Sequence, residues 1–252
     1  MLVRRMQEIS DKLEKYGSVD VKTLSKELGV SEKTIRQDLI KMEKMGILER
    51  VHGGAVLKVN SNSIFPIKER RQKHTEEKNR IAEAAEKYVE DGDIIILDTG
   101  TTTLALAKLI KNKKIIVITN DPLIVNEFLD SDNITLYITG GRLKRDGTLT
   151  MIGPDAERML KQYNANKLFL GTSSISFDQG LMTFSSAEAE VKRIMCRSAQ
   201  EIICLADYTK FNKTAFVTFA GINELHTIIT DSRITEEDKE LLIRLGIRVD
   251  IA

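Results

Sequence analysis

Apolar positions along the first part of the chain recur with the period of a helix. Val3, Met6, Ile9 and Leu13 fall on one face of a helix predicted from Leu2 to Tyr16, ending at Gly17. A second helix is predicted from Val21 to Leu28, and Gly29 supplies the turn after it. Ser31 stands at an N-cap position, with Glu32 in the first turn, where the helix dipole favours an acid. Ile35, Leu39, Met42 and Met45 then share one face, and Gly46 stops this third helix. The short apolar runs Ile47–Leu48 and Ala55–Val56 flank a polar stretch from Glu49 to Gly54, as the arms of a hairpin do. Two helices about a tight turn, followed by a hairpin, describe a winged helix-turn-helix.

Beyond residue 57 the periodicity lapses. Residues 58–74 contain Pro66 and the charge pair Arg70-Arg71, and they read as a linker with Ile64, Phe65 and Ile67 available to dock. A helix from Glu76 to Glu90 opens the second domain, 75–252. Apolar runs follow at Ile94–Leu97, Ile115–Thr119, Ile134–Ile138, Leu168–Leu170, Ile202–Leu205, Thr227–Ile229 and Ile247–Ile251. These runs are apolar throughout rather than alternating, so they predict strands buried on both faces. Their alternation with helices predicts a mostly parallel sheet in an α/β domain.

Charge sharpens the division. Residues 1–58 carry 12 Lys+Arg against 9 Asp+Glu, a net of +3; the remaining 26 against 28 give −2, and the two sum to the chain's +1. The mild basic excess lies with the module that would meet phosphate. On the third helix, Lys33, Thr34, Arg36 and Gln37 lie off the apolar face near Ser31. We expect Arg36 and Gln37 to reach base edges in the major groove, Lys33 and Thr34 to lie nearer phosphate, and Arg50 and His52 to place the wing on the backbone or minor groove.

The predicted strands empty into polar loops, and parallel sheets bind ligands at that edge. The first loop, Asp98-Thr99-Gly100-Thr101-Thr102-Thr103, opens a helix whose free N–H groups suit a phosphate. It lacks the Gly-Lys-Ser/Thr ending of a nucleotide-hydrolysing loop. Asn120, Gly141 and Arg142 occupy later loops, and Arg142, Lys144, Lys192 and Lys210 are candidates to neutralise an anion.

These motifs resemble the DeoR-type bacterial transcriptional regulators. In the first domain the match is Val30-Ser31, Thr34-Ile35-Arg36, Asp38-Leu39 and Leu48-Glu49-Arg50-Val51-His52-Gly53-Gly54. In the second it includes Leu97 to Ala105, Thr119-Asn120, Gly140 to Leu143, Gly153-Pro154, Gly180-Leu181, Val191 to Arg193 and Ala206 to Phe211. The resemblance covers nearly the full chain. It implies a repressor of a sugar catabolic operon that binds operator DNA and senses a phosphorylated sugar; because one small head contacts too little DNA for operator-level specificity, a symmetric dimer or tetramer is expected. It also implies a sensor fold similar to ribose-5-phosphate isomerase, with the threonine loop holding phosphate. Gln37 stands where the family often has a second arginine, and Ser173-Ser174 where it often has Asp-Gly. The rival function is a sugar-phosphate isomerase joined to a DNA-binding module. The segment Gly171 to Ser174 lacks the isomerases' carboxylates, so no catalytic residue is assigned.

Other chemistry is disfavoured. Cys196 and Cys204 sit in apolar periodic settings and read as buried free thiols; with three scattered histidines they make no metal-ligand spacing, and no cofactor is expected. No apolar run approaches the roughly 18 residues of a membrane span, and the N-terminus is charged rather than signal-like, so the reading is cytoplasmic.

Overall fold

The computed structural model describes residues 2–16, 18–44, 48–57, 72–145 and 147–252. The turn residues Gly17 and Met45 to Ile47, the linker residues 58–71 and the side chain of Val3 lie outside these, and with them the expectations placed on Pro66, Arg70, Arg71 and the docking apolars.

Helices α1 (Leu2–Tyr16), α2 (Val21–Leu28) and α3 (Glu32–Lys44) form the head. Their apolar stripes meet: Met6, Ile9, Leu13, Leu24, Ile35, Leu39 and Met42 are buried in one cluster with Leu48 and Ala55. Fully burying such side chains contributes about 1.5–3 kcal/mol each. Gly29 takes the left-handed conformation (φ 62°) that ends α2. The Ser31 hydroxyl accepts from Thr34 N at 3.2 Å, capping α3. Arg5 Nε lies 2.5 Å from the buried Asp38 carboxylate and ties α1 to α3.

The wing is one strand larger than the pattern predicts. Strand β1 (Ser18–Asp20) pairs antiparallel with β3 (Gly54–Leu57), which pairs with β2 (Leu48–Val51). Three residues are too few to show a period of two, so β1 left no pattern. Gly54 permits the pairing: a Cβ there would lie 2.1 Å from Val19 O.

The second domain has three layers. Seven strands run parallel in the order β15 (Arg248–Ile251), β14 (Thr227–Thr230), β12 (Ala199–Leu205), β9 (Ala165–Gly171), β4 (Ile94–Leu97), β5 (Ile115–Thr119), β6 (Ile134–Ile138). Both faces are covered, as the uniformly apolar runs require. Ile95 and Leu97 pack on one side with α4 (Thr75–Glu86), α5 (Thr101–Leu109) and α6 (Pro122–Phe128). Ile96 packs on the other with α7 (Pro154–Leu160), α8 (Ser186–Arg197) and α9 (Glu236–Arg244).

Two antiparallel additions were not expected. One is the hairpin β7 (Arg142–Lys144) with β8 (Thr150–Ile152); the other is a small sheet of β10 (Ser174–Ser176), β11 (Gly180–Thr183) and β13 (Val217–Ala220). Phe216, just before β13, packs against the head's apolar cluster.

Candidate functional site

The head presents its long donors together. Arg36, Arg50 and His52 line one groove between α3 and the wing, with Val21, Leu39 and Val51 beneath. Lys33, Arg36 and Gln37 are exposed on α3. Arg36 is held by Glu32 one turn back, at 2.9 Å, and Arg50 by Glu43, at 2.7 Å. Glu43 also accepts from Arg50 N at 3.1 Å, so one carboxylate fixes the wing's arm against α3. Exposed pairs of this kind contribute only about 0–1 kcal/mol, so phosphate can displace them at little cost. Ser31 and Thr34 are already bonded to each other, hydroxyl to hydroxyl at 2.9 Å. Their first role is therefore to build the end of α3.

In the second domain the chain leaves β4 toward β5 on one side, and leaves β9 toward β12 on the other. A crevice opens between such diverging connections. The cavity there is lined by Thr99, Gly100, Thr101, Thr102 and Thr103 after β4, by Gly171 to Ser173 after β9, and by Asp207 and Lys210 after β12. Lys73, His74 and Lys78, Thr148 from the β7–β8 hairpin, and Glu188 and Lys192 from α8 close it. Helix α5 begins at Thr101, so its free N–H groups are available to an anion in the cavity. Gly100 has extended backbone (φ 167°), open to any residue; its smallness matters because a Cβ would come within 3.0 Å of Thr103 Oγ1.

Asp98 lies below the cavity rather than in it. It is fully buried, accepts from Gly171 N at 2.9 Å and pairs with Lys192, whose ammonium also donates to Gly171 O at 2.9 Å. This pair ties β4 to β9 at the floor of the crevice. Burial pushes the Asp98 carboxyl up, with Lys192 and the Gly171 amide opposing. Lys192 spends two of its three donors on the floor, and its ammonium also lies 5.3 Å from the centre of the Phe219 ring.

The sequence reading placed one acid at the cavity, Asp98, which lies beneath it; the acids that line it are Glu188 and Asp207. Burial would raise the Glu188 carboxyl, but Lys144, Thr148, Lys192 and Thr183 together hold it below its usual range. Thr183 donates to it at 3.1 Å and Lys144 Nζ lies 3.5 Å away. Asp207 likewise is buried yet held low, by Lys210, Thr209 and Lys78. His74, at the mouth, is depressed by burial and by Lys78, Arg233 and Lys210, against the pull of Asp207. It meets the Tyr208 ring edge-on at 5.9 Å.

Asn120, Gly141 and Arg142 do not line the cavity. Asn120 is buried and donates to Thr150 Oγ1 at 2.8 Å, stitching β5 to the β7–β8 hairpin. Gly141 is a turn residue (φ 95°) whose Cβ would lie 2.7 Å from Ile152 O, and Arg142 is exposed. Their loops follow β5 and β6, on the far side of the crevice. The cysteines are buried and unpaired, with thiols pushed up to about 12 by burial. Among the described residues no cluster of His, Cys, Asp and Glu is placed to hold a metal. No helix among them is long and apolar enough to cross a membrane.

Family comparisons match both domains. A model described as the DeoR-like helix-turn-helix domain matches residues 5–60, and one described as the DeoR C terminal sensor domain matches 73–232. The chain is 33% identical to the HTH-type transcriptional regulator IolR of Bacillus subtilis over 238 residues, 94% of each protein. It is 34% identical to a lactose phosphotransferase system repressor of Staphylococcus epidermidis over 244 residues, covering 94% of this chain and 95% of that one. A D-ribose-5-phosphate isomerase in complex with phospho-erythronic acid overlaps 54% of each chain at 20% identity, with a TM-score of 0.41. That overlap is too partial to bear on function.

Proposed function

This chain belongs to the DeoR family of transcriptional regulators, and from that premise we propose that it represses a sugar catabolic operon under the control of a phosphorylated sugar. The observation that carries the sugar-phosphate reading is the convergence at one crevice of the Thr99–Thr103 loop, the α5 N-terminus, Lys192 and Lys210. Backbone donors and a helix dipole suit phosphate; hydroxyls and carboxylates beside them suit a polyol. The head reads operator DNA through Arg36 and Gln37, with Lys33, Thr34, Arg50 and His52 on the backbone. One head covers too little DNA for operator-level specificity, so the working unit is a symmetric dimer or tetramer. Control is a coupling free energy: the ligand shifts DNA affinity only by its preference between two arrangements of the heads.

We further propose that the ligand is bound and not turned over. An isomerase reading draws on the two carboxylates at the cavity. Both are held in the ionised state by neighbouring cations and donors, which makes them weak bases. The test is a thermal-shift screen of the full chain against pentose and hexose monophosphates, with NMR of the best binder for aldose–ketose interconversion. A ligand at 100 times its dissociation constant should stabilise the protein by about 2.7 kcal/mol. Equal stabilisation by the unphosphorylated sugar would refute the phosphate reading. Conversion well above the uncatalysed rate would refute the sensor-only reading.

A further inference from the structure

Asp121 never touches the cavity, yet it decides which way a cavity hydroxyl points. Its buried side chain stands at the N-terminus of α6, where Oδ1 accepts from Leu123 N at 2.7 Å. The other oxygen, Oδ2, accepts from Thr99 Oγ1 at 2.8 Å and more weakly from Gly100 N at 3.4 Å. Asp121 N in turn donates to Thr119 Oγ1 at 3.1 Å, and Thr119 Oγ1 donates to Leu97 O at 2.7 Å, so the residue's backbone is tied to the ends of two strands.

Thr99 lines the cavity while its hydroxyl bonds backward to Asp121. A hydroxyl has one proton and two lone pairs. Burial pushes the Asp121 carboxyl up, opposed by Thr99 and by the Leu123, Gly100 and Ile124 amides, all of which donate to its ionised form. That carboxylate accepts only, so the proton lies on the Asp121 side, drawn there by a charge-assisted bond. The alternative acceptor, Leu149 O, is 3.4 Å away and neutral. What Thr99 can offer a ligand is then a lone pair. A phosphate monoester, rich in acceptors, has no use for it; a sugar hydroxyl, which can donate, does.

We propose that Asp121 is a positioning residue that fixes Thr99 as a hydrogen-bond acceptor, so that Thr99 recognises a ligand hydroxyl while Thr101 and the α5 N-terminus take the phosphate. This rests on the sugar-phosphate reading and redistributes the roles within it.

Asp121→Asn reverses the bond to Thr99, gives up the weak one from Gly100 N and keeps the one from Leu123 N. An asparagine keeps the α6 cap through its oxygen. Its amide nitrogen then faces Thr99 and donates to it, occupying the lone pair and turning the hydroxyl proton elsewhere. The experiment titrates the full chain with inorganic phosphate, glycerol 3-phosphate, ribose 5-phosphate, fructose 1-phosphate and glucose 6-phosphate. The quantity read is the affinity of the best sugar phosphate relative to inorganic phosphate. Asp121→Asn and Thr99→Val should each lower that ratio about tenfold, the scale of one lost or inverted hydrogen bond in a buried site. In the Thr99→Val background, Asp121→Asn should lower it no further, because Asp121 acts through Thr99. A merely structural role would give additive losses. The proposal is overturned if the ratio stays constant, or if the two losses add. It is overturned too if Thr99→Val weakens inorganic phosphate as much as the sugar phosphates. Failure of the unaltered chain to bind any of the five probes would sink the sugar-phosphate reading itself, and this assignment with it.

Discussion

In the head, the residues proposed to face DNA come from adjacent turns of one helix and one hairpin. Ser31 to Gln37 follow one another directly, and Arg50 and His52 enter from the strand pair that α3 leads into. The sensor cavity draws instead on segments as far apart as Lys73 and Lys210, brought together by the sheet. The energetics differ in the same sense. Arg36 and Arg50 are exposed and loosely paired, whereas Asp98, Asp121, Glu188 and Lys192 are buried in paired networks. A surface that must exchange its partners for phosphate is kept weakly tied. A pocket that must hold one geometry is built from groups that cannot let go. Loss of a buried, paired residue at the pocket should therefore register as stability as well as binding, and loss of a residue proposed to face DNA as binding alone.

The largest expected effect is at the cavity floor. Removing one partner of the Asp98–Lys192 pair, by Lys192→Ala or Asp98→Ala, should cost about 3–5 kcal/mol in urea unfolding, because the other charge is left buried and unpaired. A loss below about 1 kcal/mol would mean that water reaches the site and that the contrast with the head is false. Next comes Gly54→Val. A Cβ 2.1 Å from Val19 O forces β1 and β3 apart, with a cost of about 1–3 kcal/mol and loss of operator binding, and ligand binding by the sensor should survive. Arg36→Ala should weaken operator binding by about 1–3 kcal/mol and relax the preference at one base pair, with no change in melting temperature beyond about 1 °C. Unchanged affinity for both operator and random duplex would remove Arg36 from the reading face.

Lys210→Ala should weaken sugar-phosphate binding about tenfold, as loss of one charge-assisted bond does, and leave DNA affinity without ligand as it was. The smallest effect is a pH dependence. Glu188 is held below its ordinary value of 4.5, so its ionisation stabilises the folded state above that pH. The advantage of the unaltered chain over Glu188→Gln should be full at neutral pH and shrink as pH falls below 4.5 and through the depressed folded value. An advantage that grew on acidification would show the carboxyl to be held above its ordinary value rather than below it.

This contrast also explains what could be read from sequence. The head's fold was legible because it is local: a cap, a helical period and a hairpin specify it. The sheet was legible too, since strands buried on both faces must be apolar throughout. The cavity was half legible. The Thr99–Thr103 loop announces itself in one stretch, and Lys192 and Lys210 were found. Lys73, His74, Lys78, Thr148, Glu188 and Asp207 were missed as members. Two of these left signals. Glu188 lies four residues before Lys192, hence on the same helix face, and Asp207 shares the loop of Lys210. Asn120, Gly141 and Arg142 were placed in the cavity because every loop at the carboxyl edge was weighted alike. The cavity centres on the crevice between β4 and β9, and of the segments after β5 and β6 only Thr148 of the β7–β8 hairpin reaches it. Strand order, which sequence does not print, decides that.

The buried pair beneath the cavity has a bearing on how such a protein is studied in living cells. A cell's proteases act on the unfolded fraction, and a loss of a few kcal/mol changes abundance several-fold. Substitutions at Asp98 or Lys192 would then surface in a genetic screen as missing protein, and those at Thr101 or Lys210 as full-length protein deaf to its signal. An immunoblot separates the two classes before any binding is measured.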